Sequence, residues 1–475
     1  MDYLPETQYM KGFLPYALAA FLVGIVGGLS TVLGPAFMLD MNLAYNNTTW
    51  SALAQAISTA ACAPILGKLG DLFGRKKTLL FGIFTYALGS ALSALSTALL
   101  HLLVARFIVG VGTAAIAPTI LSYIATAFPP QQVGKGFSIY MLISSVAVIF
   151  GPSLGTLILV ASGWRALMWI SSMLCLFFWI LCFLTLPKEE VERKPLTDFD
   201  FGGALFVILF FSLLLCVPSF GQNFGWQSGP FLVVLPLSLI VLVILIFIER
   251  QAKQPILIGT FMSRKVFILS VAILFLTQGL MQANMTNTIV FVNYTQPENS
   301  TISGYAISIL YLGMSLGAIL LGPLADRFEP KRILTGSLLM TAAGCGFMLF
   351  YGPSTTFILL ALSLGILGFG LGANAAVFMK IVLSGLPPET AGAGTGIYGL
   401  FRDLAAPFGV AVFVPMFTNE ITRLTLESPL RLSSAEAAVS AIHSLGTIEL
   451  VCVVLGIAIV QFLPKIYQIH HEKGE

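Results

Sequence analysis

Long apolar stretches, each close to the length of a membrane-spanning helix, dominate this sequence and confine most charged residues to the gaps between them. A helix needs about 20 apolar residues to cross a bilayer. Of the 475 residues, 57% are hydrophobic and only 9% are charged, whereas a soluble protein carries roughly 25% charged residues. Only lipid can solvate such a surface, so we predict an all-α integral membrane protein.

The apolar stretches divide into fourteen predicted membrane-spanning segments. They are 12–37, 49–67, 78–96, 98–127, 135–160, 165–186, 201–219, 229–249, 266–292, 303–324, 333–351, 355–379, 391–417 and 441–464. The first segment is longer than the hydrophobic part of a cleaved signal peptide, so we expect it to be retained.

The positive charges are distributed unequally between the two sets of loops. If the segments alternate in direction, nineteen of the 24 Lys and Arg residues fall in one set and three in the other. The remaining two, Arg106 and Arg402, lie inside segments. Cytoplasmic loops carry the excess of positive charge, so the lysine- and arginine-rich side, with both termini, is predicted to be cytoplasmic.

One charged loop occurs twice in the chain. Residues 67–77 read GKLGDLFGRKK, and residues 322–332 read GPLADRFEPKR. An offset of 255 pairs Gly67 with Gly322, Asp71 with Asp326, Phe73 with Phe328, Lys76 with Lys331 and Lys77 with Arg332. Each copy follows the second of six predicted segments. This pattern predicts two parallel six-helix halves, 1–190 and 263–475, separated by an inserted helix pair in 191–262.

The first copy has the composition of a conformational clasp. Short connections between antiparallel helices need glycine where backbones approach closely, and this one supplies Gly67, Gly70 and Gly74. Asp71 is placed to pair with Arg75 or with a helix N-terminus, and Asp326 takes the same place in the second copy. A gating role is therefore predicted; the alternative is that the basic residues only set the topology.

Four motifs resemble those of the major facilitator superfamily. GKLGDLFGRKK resembles its signature between helices 2 and 3, and RFIVGVGTA (106–114) resembles its fourth-helix motif. GPSLG (151–155) resembles the fifth-helix motif of proton-driven exporters, and residues 386–412 are similar to helix thirteen of the fourteen-span drug:proton antiporters. The resemblance implies a major facilitator fold with a 6 + 2 + 6 layout and proton-driven export.

The first helix departs from that subfamily. Alignment on VLGP (32–35) and Trp50 puts Val26 where the subfamily commonly has an aspartate, and Asp40 falls at the outer end of the segment. One usual proton or cation partner is therefore absent, which leaves the proton stoichiometry and the preference for cationic drugs open.

Four ionisable residues inside the segments are candidates for proton coupling. Each costs roughly 2.5–3.5 kcal/mol at mid-helix. The resemblance makes Arg106 a member of the proton-coupling network; the alternative is an arginine bonded to neighbouring carbonyls for structure only. Asp403 is the best candidate for a carboxylate that exchanges a proton for substrate, with Arg402 clamping another helix; the alternative is a purely structural ion pair. Glu449 ranks lower, because the resemblance implies a peripheral last span, where it would snorkel or pack.

Two further groups of residues have predicted roles in transport. Gly151, Pro152 and Gly155 allow a close helix contact and a kink, which predicts a sealed but bendable contact; a general packing seam is the alternative. The predicted substrate cavity consists of neutral polar side chains that suit amphipathic molecules, with interhelical hydrogen bonding as the alternative: Tyr140, Gln278, Gln282 and Asn374.

No motif for an enzyme is present. The sequence has no Walker-type loop and no nucleophile elbow, and its six cysteines and four histidines lack metal-ligand spacing. Together with the repeat, the resemblance to the drug:proton antiporters implies a monomeric transporter of the bacterial inner membrane that exports lipophilic or amphipathic compounds. It would use the proton gradient without a cofactor, metal or nucleic acid partner. A proton symporter or facilitator for a metabolite, a lipid flippase and a non-transporting membrane sensor or scaffold are the alternatives.

Overall fold

The computed structural model describes residues 6–41, 45–128, 133–186, 201–251, 265–299, 301–321, 324, 328–384, 391–427 and 432–463. Within these ranges a minority of side chains, including those of Asp71 and Asp403, lie outside the description. The described residues form helices and connecting turns and contain no β-strand. The prediction of an all-α protein is therefore confirmed for this part of the chain.

The helices run in chain order as α1 (Glu6–Ser30), α2 (Leu33–Met41), α3 (Tyr45–Phe73), α4 (Arg75–Ala94), α5 (Leu99–Ala127), α6 (Val133–Thr185), α7 (Phe201–Phe224), α8 (Gly229–Gln251), α9 (Lys265–Thr295), α10 (Thr301–Leu321), α11 (Pro330–Phe347), α12 (Phe357–Ser384), α13 (Ala391–Thr422) and α14 (Ser434–Gln461). Short helical turns follow α9, α11 and α13 at Pro297–Asn299, Met348–Phe350 and Arg423–Glu427.

Ten helical segments of the described residues are long and apolar enough to cross a membrane. One of them, Leu142–Thr185, is 44 residues long and includes parts of two predicted spans. Its helix α6 is broken at Gly163, whose φ of 79° is a backbone conformation that favours glycine. The predicted first span is also broken, because α1 ends at Ser30 before α2 begins at Leu33. The total of fourteen spans and the 6 + 2 + 6 layout stay predictions.

The chain divides into two compact units, Met1–Leu257 (unit 1) and Ile258–Glu475 (unit 2). Helices α7 and α8 pack against each other, and α7 also packs against α3, so this pair belongs to unit 1. The predicted boundaries of the inserted pair, at 190 and 262, stay predictions.

The two units have the same internal packing. In unit 1, the packed pairs include α1–α6, α3–α5, α4–α5 and α4–α6. In unit 2, they include α9–α13, α10–α12, α11–α12 and α11–α14. Gly163 divides α6 into two arms. When the arms are counted as separate helices, each of these pairs in unit 1 has a counterpart in unit 2. This agreement supports the duplication that the repeated loop predicts.

A glycine pair brings two helices into backbone contact in each unit. The helices are α1 and the part of α6 before Gly163 in unit 1, and α9 and α13 in unit 2. These helices are the first and fifth of each unit when the two arms of α6 are counted separately. A Cβ atom added to Gly28 of α1 would lie 2.7 Å from the Cα atom of Gly151 in α6. In unit 2, a Cβ atom on Gly409 of α13 would overlap with the backbone of Gly279 in α9. No side chain fits at either crossing, so small residues determine the closest helix contact in both units.

Alanine at Gly28 should destabilise unit 1, whereas alanine at the neighbouring Gly27 should not. The Gly28→Ala methyl group meets backbone, and overpacking of this kind costs about 1–3 kcal/mol. Gly27 is exposed and has no atom within 4 Å of an added Cβ. Thermal unfolding of the purified protein in detergent measures both changes. Equal midpoints for Gly28→Ala and Gly27→Ala would contradict this packing account.

Candidate functional site

The repeated loop forms the turn between α3 and α4 in unit 1. Gly74 has a φ of 98°, and its backbone N–H donates to the carbonyl oxygen of Gly70 over 3.0 Å. The Nε of Arg75 donates to the hydroxyl oxygen of Ser122 in α5 over 3.0 Å. Asp326 and the side chain of Asp71 lie outside the described residues, so the predicted aspartate clasp stays a prediction.

The second copy makes its turn with different residues. Glu329 precedes α11 with a φ of −57°, and Pro330 begins the helix, a position that suits the fixed φ of proline. The positive φ of Gly74 therefore has no counterpart at the aligned position in the second copy, Glu329. Gly67 lies against Pro118 of α5, 3.3 Å from a would-be Cβ atom, so it serves a helix contact.

The aligned lysines of the two copies make the same contact. Lys76 Nζ donates to the carbonyl oxygen of Leu186, just past the end of α6, and to that of Phe183 over 3.2 Å. Lys331 Nζ donates to the carbonyl oxygen of Gln461, the last residue of α14, over 2.6 Å. A lysine at a helix C-terminus binds carbonyls without an intrahelical partner. Each loop thus fixes the sixth helix of its own unit.

Removal of the Lys76 charge should destabilise the protein more than removal of the adjacent charge. Lys76→Met retains the apolar stem and loses the contacts with the end of α6, worth about 0.3–1 kcal/mol at an exposed helix terminus. Lys77→Met removes the same charge from an exposed side chain. The thermal midpoint of unfolding in detergent measures both changes. The losses of stability caused by Lys76→Met and Lys331→Met should add in the double variant. A Lys77→Met effect as large as that of Lys76→Met would refute a specific role for Lys76.

Arg106 lies inside unit 1, where α5 packs against α3. Its side chain is buried, and Nη1 donates to Gln55 Oε1 over 3.2 Å. The guanidinium carbon lies 5.3 Å from the centre of the Phe37 ring, and Nε has no hydrogen-bond partner. Among the described residues, no carboxylate lies within salt-bridge distance of Arg106.

Two other residues of the first segment bear on the charge of Arg106. Val26, the position where the resemblance expects an aspartate, is completely buried in the apolar core of unit 1. Asp40 is bound by Arg165 over 2.6 Å, and the guanidinium of Arg165 lies 4.3 Å from the centre of the Trp164 ring. Neither position supplies a negative charge to Arg106.

The fifth-helix motif lies in the contact between α6 and α1. Gly151 and Pro152 lie against Gly28, and a Cβ atom on Gly155 would be 2.9 Å from the carbonyl oxygen of Leu29. The motif thus occupies a close helix contact, as its composition indicates. Its role as a bendable seal stays a prediction.

Arg402 and Asp403 both lie in α13. Arg402 is half-buried and takes part in an interaction within the protein. The side chain of Asp403 lies outside the described residues, so its proposed proton exchange stays a prediction.

Glu449 lies in the interior of unit 2, where α14 meets α9 and α11. None of its side chain is exposed. Asn284 Nδ2 donates to Glu449 Oε2 over 2.9 Å, and the thiol of Cys345 donates to the same oxygen over 3.7 Å. The second oxygen, Oε1, has no partner. Of the two roles expected for Glu449, snorkelling and packing, the described contacts agree with packing inside unit 2. Its part in proton coupling stays a prediction.

The face of α9 that carries Asn284 holds more buried polar atoms without partners. Asn284 Oδ1, both polar atoms of Asn287 and the hydroxyl of Thr288 belong to this set. Residues three and four apart lie on the same helix face. Buried polar groups without protein partners commonly bind ordered water, so water is expected near the carboxyl group of Glu449.

The predicted cavity residues lie in different surroundings. Gln278 is buried, whereas Gln282 and Tyr140 are half-buried. Asn374 accepts a hydrogen bond from the hydroxyl of Ser337, between α12 and α11. Asn374 therefore makes the interhelical contact that was the alternative interpretation.

Sequence reasoning missed two polar partners, Gln55 and Asn284. Each is separated in sequence from the charged residue that it binds, by 51 and 165 residues respectively. Asn284 does share a polar stretch with Gln278 and Gln282, so the sequence contained a local signal for it.

Metal and disulfide chemistry find no support in the described residues. These residues contain no group of three His, Cys, Asp or Glu side chains that could hold a metal ion. The six cysteines, all described, are free thiols. This leaves the buried charges and polar side chains as the candidate site.

The family model that matches this chain is that of the Major Facilitator Superfamily, over residues 16–410. The chain belongs to the Major Facilitator Superfamily. Members of this family are transporters, so the protein is an integral membrane transporter and not an enzyme.

Several relatives in the superfamily are named as resistance proteins. Multidrug resistance protein 3 of Bacillus subtilis (strain 168) is 24% identical over 382 residues, which cover 80% of this chain and 74% of the relative. Puromycin resistance protein pur8 of Streptomyces alboniger is 25% identical over 430 residues, 87% and 83% of the two chains. Another relative, the riboflavin transporter RibZ of Clostridioides difficile (strain 630), is 24% identical over 417 residues, 85% and 87%.

Solved structures of other transporters share the fold. A bacterial homologue of the human lysosomal transporter Spinster has a TM-score of 0.68 at 14% identity, with 97% of each chain covered. The peptide transporter POT, in complex with sulfate, has a TM-score of 0.67 at 14% identity, with 95% of each covered. At these identities the likeness establishes the fold alone.

Proposed function

We propose that this superfamily member is a proton-coupled transporter that exports lipophilic or amphipathic compounds. It would work by alternating access as a monomer in the bacterial inner membrane, with both termini in the cytoplasm and the proton gradient as its energy source. The relatives named as multidrug and puromycin resistance proteins support export of foreign compounds.

The observation that carries the proposal is the environment of Glu449. A buried carboxylate without a nearby cation is costly, because its desolvation is not repaid by an opposite charge. The contacts of Glu449 are the neutral groups of Asn284 and Cys345. A bound proton removes the charge, so this conformation favours a protonated Glu449. Release of the proton then requires a change in the surroundings of the carboxyl group.

Such a change fits the fold of each unit. The glycine contacts and the lysine contacts with the sixth helix keep each unit together while the two rock. In transporters built from repeats, access alternates by largely rigid-body motion of one repeat against the other. Glu449 and Asp403 would take up and release protons in this cycle, and Arg106 and Arg402 are the other candidate members of the proton-coupling network.

Glu449→Gln should abolish the response of transport to a proton gradient. The glutamine keeps the shape and the hydrogen bond with Asn284 but cannot exchange a proton, so gradient-driven efflux of ethidium should fall roughly 10²- to 10⁴-fold, the range typical of losing a proton-transfer group. Ethidium exchange without a gradient should continue. In proteoliposomes, ethidium fluorescence measures both rates, and a pH-sensitive dye inside the vesicles reports the accompanying proton movement.

The matched control is Glu436→Gln on the same helix. Glu436 is an exposed member of the capping box with Ser433, a role that glutamine also fills. Gradient-driven transport that persists in Glu449→Gln would refute proton coupling through Glu449. Asp403→Asn, tested alongside, determines whether a second carboxyl group takes part.

A metabolite carrier is the second candidate function, because one relative is named as a riboflavin transporter. The direction of proton movement distinguishes the two. In energised everted vesicles, adding the substrate of an exporter releases protons from the lumen, whereas adding the substrate of a symporter does not.

A further inference from the structure

We propose that Arg106 and Gln55 bind the acidic group of the transported substrate, so that amphipathic monoanions belong to its substrate range. The ligand class is a carboxylate or sulfonate attached to an apolar body. The inference rests on the proposed transport function and names the chemistry of one site within unit 1.

The first argument is the incomplete hydrogen bonding of a buried cation. Arg106 is only 4% exposed. A guanidinium has five N–H donors, and its hydrogen-bond acceptor here is the neutral Gln55 Oε1, at 3.2 Å. The buried Nε has no acceptor. An anion would supply both the missing charge and the missing acceptors.

The second argument is that the surrounding described residues do not provide that anion. Asp40 is engaged by Arg165 over 2.6 Å, and Arg165 also donates to the carbonyl oxygen of Ser96 over 3.4 Å. Tyr86 is buried and carries a phenol, which is uncharged at ordinary pH. Val26 carries no charge. The charge of Arg106 is thus left for a ligand to balance.

The third argument comes from the equivalent position in unit 2. A Cβ atom on Gly110 of α5 would overlap with the carbonyl oxygen of Gln55 in α3, and one on Gly368 of α12 would overlap with that of Leu310 in α10. In each unit a glycine of the fourth helix meets the carbonyl oxygen of one residue of the second helix. Gln55 in unit 1 therefore corresponds to Leu310 in unit 2.

Arg106 lies four residues before Gly110 in α5, and Leu364 lies four residues before Gly368 in α12. The two residues therefore occupy corresponding positions. Leu310 and Leu364 are both completely buried. The same helix crossing therefore packs well with two leucines. The fold alone does not require a cation or an amide at this place, so Arg106 and Gln55 are explained better by a ligand than by packing.

The local geometry suits an acidic group on an apolar body. The planar guanidinium binds carboxylates and sulfonates through paired N–H donors. The amide nitrogen of the half-buried Gln55 is a further donor at the more accessible edge of the site. The Phe37 ring, 5.3 Å from the guanidinium carbon, provides an apolar wall. A single positive charge is balanced by a monoanion.

The decisive variant is Gln55→Glu. It places a carboxylate of nearly the same shape against Arg106, so the protein supplies its own counter-ion without losing the arginine. Arg106→Gln removes the cation. Arg106→Lys retains the positive charge but lacks the paired N–H donors of the planar guanidinium. Lys77→Gln, at an exposed position, repeats the net charge change of Arg106→Gln.

The probes are 11-(dansylamino)undecanoic acid and its analogue in which a trimethylammonium group replaces the carboxylate. Their affinities for purified protein in detergent are measured by dansyl fluorescence. Gln55→Glu and Arg106→Gln should each weaken carboxylate binding at least about tenfold, the loss expected for a charge-assisted pair. Lys77→Gln should leave it unchanged, Arg106→Lys should be intermediate, and binding of the ammonium probe should not weaken in Gln55→Glu.

Carboxylate affinity that stays within twofold of wild type in Gln55→Glu overturns the inference, as does wild-type protein that does not bind the carboxylate probe. If Arg106→Gln does not fold, Gln55→Glu and Arg106→Lys still decide. Proton-coupled transport of the ammonium probe by wild type, without carboxylate binding, would refute the anion site and leave the proposed function standing. Absence of proton-coupled transport for both probes, with carboxylate binding intact, would instead refute the coupling.

Discussion

A charge buried in an apolar interior needs an opposite charge, a proton or a ligand, and this requirement governs both units of the transporter. In unit 1 the buried group is Arg106, and in unit 2 it is Glu449. Each has a neutral amide as its main partner, Gln55 and Asn284 respectively. Because the described residues provide neither group with an opposite charge, both are suited to bind something that enters and leaves during the transport cycle.

Comparison of the two units shows where unit 1 departs from the shared packing arrangement. Corresponding helices pack in the two units, and glycine contacts between the first and fifth helices recur. The lysines of the repeated loop hold the end of the sixth helix in both. Against this shared frame, Arg106 and Gln55 replace a pair of buried leucines. A difference between two copies of one packing arrangement indicates function more directly than a polar residue considered alone.

The sequence was sufficient to predict the helical class, the repeat and the close contact at Gly151, because these depend on local composition and spacing. It was not sufficient for the polar partners, since Glu449 meets Asn284 only when helices that are distant in sequence pack together. The resemblance left snorkelling and packing both open for Glu449, because it describes where a helix usually lies and not which way a side chain points. The repeated loop was predicted to clasp through aspartates, and the described contacts show lysines bound to helix ends.

The most direct test of this account is the proton release of the purified protein when substrate binds in weakly buffered solution. Substrate that displaces a buried proton should release about one proton per molecule bound, with the release lost in Glu449→Gln. Binding of substrate without any proton release, or the same release in Glu449→Gln, would contradict it.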